Sequence, residues 1–396
     1  MSRGPEEMSL FRDEIAPEPA DVVRERLLVR EFLREAIASG LMAPQCDGWL
    51  SGHSPAFSAE LGRRGWIGMT WPRRYGGREL PSAVRFAVIE ELLACGAPVA
   101  AHWFADRQIG PSLLRHGTAA QREFFLPGMA RGELYFCVGM SEPDAGSDLG
   151  SVRTRAVRSA GGWMVSGSKI WTSHAQHAHF MLALVRTGDS GQRRSKALTQ
   201  MIIDLTQPGI SVRPIRMMGG GDHFCEVFFD DVFVPDDRIL GEAGGGWGQV
   251  LGELGFERSG PERFLSTFPL LSGVVRESGR RTSGSPASGE AEPGGDRALG
   301  ELIARLVVLR SMSARVAERL GGGEAPGVPA AIVKDLGTAF ENDSLDVARE
   351  RLGQRDAGGE LARLYEQAQT RAPGFTLRGG ATEIMRDIVA RAWGLS

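Results

Sequence analysis

Two short segments carry the side chains best suited to chemistry. The first reads Met140-Ser141-Glu142-Pro143-Asp144-Ala145-Gly146-Ser147-Asp148, and the second reads Val165-Ser166-Gly167-Ser168-Lys169-Ile170-Trp171-Thr172-Ser173. Small hydroxyls beside an aromatic side chain can hydrogen bond to the edge of a flat cofactor and pack against its face. Either segment alone also fits a polar turn or a core tryptophan. Together, and in this order, they favour a cofactor site.

This pair of segments resembles the acyl-CoA dehydrogenases. That family carries a Ser/Thr-Glu-Pro-x-x-Gly-Ser-Asp segment and then an Asn-Gly-x-Lys-x-Trp-(Ile/Thr)-(Ser/Thr) strand, both lying against the flavin of FAD. The resemblance implies that Ser141 contacts the N1/O2 edge of the ring, Ser173 reaches N5, Ser147 binds the pyrophosphate and Trp171 packs on the ring. The cofactor-binding residues it implies are Met140, Ser141, Gly146, Ser147, Trp171, Thr172, Ser173, Ala381 and Glu383.

Three further stretches extend the resemblance over nearly the whole chain. They are Pro72-Arg73-Arg74-Tyr75-Gly76-Gly77, Phe229-Asp230-Asp231-Val232-Phe233-Val234-Pro235 and Gly380-Ala381-Thr382-Glu383-Ile384-Met385-Arg386. Each could also be a structural turn or a helix cap, so they support the fold rather than the chemistry.

The resemblance also implies a carboxylate base that removes the α-proton of a thioester. Medium- and short-chain members place a Glu near the carboxyl terminus, where this chain has Gly379. Isovaleryl-CoA and long-chain relatives place the base in a Glu-Arg pair after the β domain, and Glu257-Arg258 stands there. We therefore predict Glu257 as the catalytic residue, with Glu262 as the alternative. A solvated or salt-bridged helix residue is the competing interpretation of Glu257. Ser147, Arg258, Gly379 and Gly380 are the predicted substrate contacts, with the Gly379 N–H near the thioester oxygen.

Two motifs of the family's homotetramers are missing. The Arg-x-x-Phe-Gly segment should fall within residues 279–296, and the Gln-x-x-Gly-Gly-x-Gly segment within residues 352–358. Because both reach the FAD of a neighbouring subunit, the chain resembles bacterial members that pair with a homologous second subunit in an α2β2 heterotetramer. A homo-oligomer stays open.

Three functions fit these features. The first is an FAD-dependent dehydrogenase of an acyl-CoA or acyl-carrier thioester, which passes electrons to an electron-transfer flavoprotein. The second is a non-catalytic partner that completes the flavin site of a sister subunit. The third is another flavin reaction on the same fold, such as an oxidase, since a fold does not fix chemistry.

Composition and motif scans exclude several other classes. The formal charge of -3 gives no reason to expect nucleic acid as a partner. No G-x-G-x-x-G and no Gly-Lys pair occurs, which disfavours Rossmann and P-loop mechanisms. The dispersed histidines and the four scattered cysteines predict no metal site and no disulfide framework. The lack of a long apolar run predicts no membrane span, and we expect a cytoplasmic protein.

Hydrophobic periodicity predicts the elements that position these residues. Helical spacing covers 22–39 and 82–95, β-rich runs lie between 136 and 240, and helical stripes follow from Leu299 to Leu320 and from Ala381 to Trp393. We therefore expect an α+β multidomain protein. It has an N-terminal α-helical domain (1–135), a small middle β-barrel or sandwich domain (136–241) and a C-terminal domain like a four-helix bundle (242–396). Residues 279–296 are expected to form a mobile loop.

Overall fold

Helices dominate the first third of the chain in the computed structural model, which describes residues 18–188, 194–283, 293–324, 326–352 and 359–395. They are α1 (Ala20–Ala38), α2 (Gly48–Ser51), α3 (Pro55–Arg63), α4 (Ser82–Ala94), α5 (Ala100–Phe104), α6 (Gly110–His116) and α7 (Ala119–Ala130). A single wide turn of π-helix, Ala105–Ile109, joins α5 to α6.

The periodicity of α1 shows how the sequence builds this layer. Val22, Val29, Phe32 and Leu33 are buried on one face of the helix, which packs against α4. The helix ends at Ala38 because Gly40 takes a left-handed conformation, with φ of 75°. Apolar spacing had predicted this helix over residues 22–39, within two residues of its observed start.

Seven strands form the middle of the chain as the structure describes it. They are β1 (Phe136–Gly139), β2 (Arg155–Ser159), β3 (Gly162–Ser173), β4 (Phe180–Arg186), β5 (Leu198–Asp204), β6 (Ile210–Ile215) and β7 (Phe224–Pro235). A short helix, α8 (Arg194–Ala197), precedes β5. The strand order is β1-β4-β2-β3-β7-β6, with β5 paired to β4. The long antiparallel β3–β7 pair carries the second motif segment to the end of β3. We call this end of the strands the sheet edge.

The remaining helices pack around one central member. They are α9 (Gly246–Ser259), α10 (Phe268–Ser283), α11 (Pro293–Gly321), α12 (Gly327–Leu352), α13 (Glu360–Arg371) and α14 (Thr382–Ala392). Helix α12 contacts each of the other five. The expected loop over 279–296 was wrong at both ends, because α10 continues to Ser283 and α11 begins at Pro293; residues 284–292 lie outside the described residues.

Two of the five buried hydrophobic clusters among the described residues illustrate the α+β multidomain fold. Leu302 and Phe340 of the C-terminal helices share a buried cluster with Trp71 of the N-terminal region, whereas Val165 and Val227 belong to a cluster inside the sheet. Within the part of the chain that the structure describes, every helix is too short or too polar to cross a lipid bilayer.

Candidate active site

The first motif segment forms a tight turn at the end of β1. The backbone amides and carbonyls of Glu142 and Ala145 bond to each other at 2.9 and 3.0 Å. The amide of Ile170 donates to the Ser141 carbonyl at 2.9 Å, so Ser141 lies beside β3 opposite a residue three positions before Ser173. The structure thus brings the two predicted serine residues to the same end of the sheet.

Gly146 and Ser147 lie beyond that turn, in the open. Both are exposed, and a Cβ added at Gly146 would meet no heavy atom within 4 Å. A backbone this accessible can approach a phosphate group closely. Their surroundings therefore fit the pyrophosphate role that the resemblance implies.

The second motif segment breaks the regular sheet where it ends. The register between β3 and β7 shifts between Lys169 and Thr172, and Trp171 sits in the bulge with φ of 58°. The indole of Trp171 is 54% exposed and touches Phe224 only edge-on, with ring centroids 5.9 Å apart. Its broad face is therefore available to a flat ligand.

Thr172 and Ser173 are buried beside that tryptophan. The Thr172 hydroxyl has no hydrogen-bond partner among the described residues, although it is shielded from solvent. A buried polar group without a partner calls for one from outside the chain. Together with the free face of Trp171, this orphaned hydroxyl fits the edge of a flavin.

Sequence reasoning missed the ion pair that holds the two segments together. The Nζ atom of Lys169 lies 2.7 Å from the Glu142 carboxylate and donates to the Met140 carbonyl at 3.1 Å. Burial raises the pKa of Glu142, but Lys169 and two backbone N–H donors outweigh it and hold that pKa below its ordinary value. Burial lowers the pKa of Lys169 to about 8, so the pair is charged at neutral pH.

A second group of predicted residues converges after α9. Glu257 is 22% exposed, and its carboxylate lies 3.7 Å from Nη2 of Arg263. Arg258 donates through Nε to the Gly379 carbonyl at 3.0 Å. A Cβ at Gly379 would lie 2.7 Å from Nη2 of Arg263, and one at Gly380 would lie 3.4 Å from Nη2 of Arg258. The structure thus gathers Glu257 and its three predicted companions in one place.

Ala381 and Glu383 follow this turn directly. Ala381 precedes the first residue of α14, and Glu383 is exposed in the first turn of that helix. No hydrogen bond between described residues joins them to the sheet edge with Ser141 and Ser173.

Helix α2 lies between the two groups. The carbonyl of Leu50 contacts Nε2 of His174 at 2.6 Å, next to Ser173, while the ring of the adjacent Trp49 lies 5.4 Å from the Arg263 guanidinium. One short helix therefore spans the distance from the cofactor segment to the candidate base.

The alternative base is already engaged. Glu262 is buried and forms an ion pair with Arg107 at 2.8 Å. Because that carboxylate has a fixed cationic partner, Glu257 stays the candidate.

Sequence reasoning also missed Glu253, one helical turn before Glu257 on the same face. This buried carboxylate accepts from Ser112 at 2.8 Å and from Gln108 and Gln200 at 3.1 Å each. Burial raises the pKa of Glu253 to about 7, although these donors oppose the shift. Its partners come from the N-terminal helices and from β5, so Glu253 sits where all three parts of the chain meet.

Two cavities differ in their relation to these residues. A cavity of about 630 Å³ lies between α1, α4 and α11, lined by Phe264 and Phe268 among others. None of the predicted site residues lines it, and we assign it no part in the site. A smaller cavity of about 30 Å³ lies beside Glu253 and Phe256, between α6 and α9.

Comparison with known proteins covers this whole architecture. Residues 24–133, 137–232 and 244–394 match the families described as acyl-CoA dehydrogenase N-terminal, middle and C-terminal domain. Acyl-CoA dehydrogenase FadE34 of Mycobacterium tuberculosis is 34% identical over 83% of this chain, which spans only 44% of that protein. Acyl-CoA dehydrogenase IpdE1 of the same organism is 32% identical over 93% of this chain and 96% of its own length.

A solved structure described as the Tcur3481-Tcur3483 steroid ACAD superimposes with a TM-score of 0.83. It is 27% identical, and the match covers 96% of this chain and 99% of that one. Three consecutive domain matches and the shared fold thus agree with the motifs around Ser141 and Trp171. The chain belongs to the acyl-CoA dehydrogenase family, whose members are FAD flavoproteins, and it is an oxidoreductase.

Proposed function

We propose that the chain catalyses α,β-dehydrogenation of an acyl-CoA or acyl-carrier thioester, with Glu257 as the base. The observation that carries this proposal is the convergence of Glu257, Arg258, Gly379 and Gly380 at the end of α9. When bound, FAD supplies the acceptor for the hydride that leaves the β-carbon.

The sheet edge would hold the cofactor. The Ser141 and Ser173 hydroxyls would bond to the ring edge, and the exposed face of Trp171 would cover the ring. Met140 and the orphaned Thr172 hydroxyl complete this edge. Gly146 and Ser147 would bind the pyrophosphate, while Ala381 and Glu383 at the start of α14 would reach the cofactor from the other side.

Glu257 would take the α-proton, because its carboxylate is partly exposed and lacks the tight partner that Glu262 has. A general base must lie within hydrogen-bond reach of the proton that it removes. The turn at Gly379 and Gly380, fixed by Arg258, would seat the thioester there. Ser147 would contact the substrate as well as the cofactor.

The decisive variant is Glu257→Gln. It keeps the size of the side chain and removes the base, so turnover of a panel of straight-chain and branched acyl-CoA thioesters with a ferricenium acceptor should fall by about 10²–10⁴-fold. Glu318→Gln, an exposed change on α11, should keep full turnover. Unchanged turnover in Glu257→Gln would remove Glu257 from the mechanism.

A second function, that of a partner subunit completing a sister chain's flavin site, is favoured by two features. Gly379 occupies the position of the terminal base, and the description of the solved structure named above joins two designations, Tcur3481 and Tcur3483. The visible absorption spectrum separates the cases. A flavin band in protein expressed alone supports a self-sufficient dehydrogenase, and colour only on co-expression with a homologous subunit supports a heteromer. In either case we propose that electrons pass on to an electron-transfer flavoprotein.

A further inference from the structure

Arg263 presents an unsatisfied cation beside the proposed base. It ends the short turn Pro261–Arg263 after α9, and its side chain is 2% exposed. Its Nη2 atom has no hydrogen-bond partner in the described structure. Buried guanidinium nitrogens are normally paired, because an unpaired one loses its water without compensation. An acceptor from outside the chain would satisfy it.

The backbone and a tryptophan fix the direction of this guanidinium. Nε donates to the Glu257 carbonyl at 2.7 Å, Nη1 lies 3.5 Å from the Arg378 carbonyl, and the Trp49 ring is 5.4 Å away. The remaining nitrogen, Nη2, points into the space that a side chain at position 379 would occupy, since a Cβ at Gly379 would be 2.7 Å from it. Arg263 therefore faces the turn of the proposed thioester site.

Glu257 is the counterion of this guanidinium, but their ion pair is long. The Glu257 carboxylate lies 3.7 Å from Nη2, beyond hydrogen-bond distance. The other carboxylates of the region are engaged, because Glu262 is bound by Arg107, and Asp47 and Glu341 are bound by Arg378.

Arg263 lies among charged side chains of both signs, which include Arg107, Arg258, Arg378 and Lys334 and also Asp47, Glu257, Glu262 and Glu341. Burial lowers the pKa of Arg263 to about 10, which leaves it protonated at neutral pH. Its unpartnered Nη2 can therefore bind a ligand atom on which negative charge develops.

We propose that Nη2 of Arg263 binds the carbonyl oxygen of the acyl thioester. This assignment rests on the dehydrogenation proposed above. When Glu257 removes the α-proton, the C–H bond breaks and its electron pair moves toward the carbonyl, so charge builds on that oxygen. Glu257 would remove the proton of the α-carbon, and the carbonyl carbon is bonded directly to that atom. Because Nη2 lies 3.7 Å from the Glu257 carboxylate, it is close enough to bond to the carbonyl oxygen. Arg263 is thus an oxyanion donor in the turn that follows helix α9, which carries the base.

The test uses acetoacetyl-CoA, whose 1,3-dicarbonyl ionises to an enolate with its own ultraviolet absorbance. Titrated on the flavin-loaded enzyme, the bound probe should ionise at a pH about 1–3 units higher in Arg263→Gln than in the wild type, the range of shifts that one adjacent charge produces. Arg263→Lys, which keeps the charge, should fall between them. Arg386→Gln, which removes an exposed cation on α14, should match the wild type.

If bound acetoacetyl-CoA ionises with the same midpoint pH in the wild type and in Arg263→Gln, the assignment is overturned. The same holds if Arg263→Gln only lowers the melting temperature and leaves that midpoint unshifted. If Arg263→Gln does not fold, Arg263→Lys decides, because the ammonium group of lysine cannot take the place of Nη2 and a wild-type midpoint in that variant would overturn the assignment. Glu257→Gln separates the two proposals. Loss of turnover there, with an unshifted midpoint in Arg263→Gln, removes the role of Arg263 and leaves the dehydrogenase. Full turnover in Glu257→Gln removes Glu257 as the base, and only a wild type without turnover removes the dehydrogenase itself.

Discussion

Lys169 and Glu142 form a buried ion pair, 2.7 Å long, between two segments that lie 27 positions apart in the sequence. The pair locks the turn after β1 onto β3. Because the Met140 carbonyl accepts from the same ammonium group, the turn that carries Ser141 cannot shift without breaking it.

Breaking this ion pair should lower both the stability of the fold and the amount of flavin that the protein retains. Removing one partner leaves a buried charge, so Lys169→Met and Glu142→Gln should each lower the free energy of unfolding by about 3–5 kcal/mol. Urea unfolding and the ratio of flavin to protein absorbance measure the two effects. Glu133→Gln, which breaks an exposed ion pair with Arg131, serves as control and should change neither. A stable, flavin-replete Glu142→Gln protein would contradict this role.

Replacing Trp171 should affect the retention of flavin more than the stability of the fold. Its left-handed backbone is unfavourable for a residue with a side chain, so Trp171→Gly should keep or raise the unfolding free energy of the flavin-free protein, by up to about 1–2 kcal/mol. The same change should weaken flavin retention, measured by flavin release during dialysis. Trp171→Phe should retain more flavin, and Trp393→Ala, another exposed tryptophan, should retain all of it. Equal retention in Trp171→Gly and wild type would exclude contact with the ring.

Glu253 gives stability a pH dependence of defined sign. Its pKa is about 7 in the folded chain against 4.5 as its ordinary value, so the folded state holds a proton that the unfolded state has released between these values. Stability from this group is therefore present below about pH 4.5 and is lost as the pH rises toward 7. The melting temperature should fall over this window, and Glu253→Gln should flatten the decline. Glu318→Gln should leave the slope unchanged; an unaltered slope in Glu253→Gln would assign it to another group, such as Glu341.

Position 379 should not accept a side chain. With φ of 72° and Arg263 2.7 Å from a Cβ, Gly379→Ala should lower the unfolding free energy by at least about 1–2 kcal/mol. Gly374→Ala, on the same loop with open space and ordinary backbone, should have little effect. On an Arg263→Ala background, Gly379→Ala should cost only the backbone part, so the further loss that it causes there should be smaller than in the wild type. Equal stability of the Gly379→Ala and Gly374→Ala proteins would show that the guanidinium moves aside.

The sequence could predict the residues that belong to contiguous motifs or to a regular apolar period, but not those that come together only on folding. Ser141 and Ser173 belong to contiguous motifs, and helix α1 has a clear apolar period. The sequence alone therefore predicts the two serines as site residues and α1 as a helix. Glu253 could not, because its partners Gln108, Ser112 and Gln200 lie far apart in the chain and meet only through burial. Arg263 reads as an ordinary polar turn residue until its depth is known. The expected loop over 279–296 was wrong at its two ends, because α10 continues through polar residues to Ser283 and α11 begins at Pro293, and no apolar spacing marks these turns as helical.

The hydrogen bonds of Glu253 bear on how the chain can be dissected. A fragment ending before Gly246 would expose the surface of β5 and strip Gln108 and Gln200 of their acceptor, while the excised helical remainder would carry a lone carboxyl on an apolar face. Neither piece could satisfy those groups by itself. Cutting the chain at this point should therefore lower the stability of both pieces, since the buried hydrogen bonds of Glu253 couple the three regions.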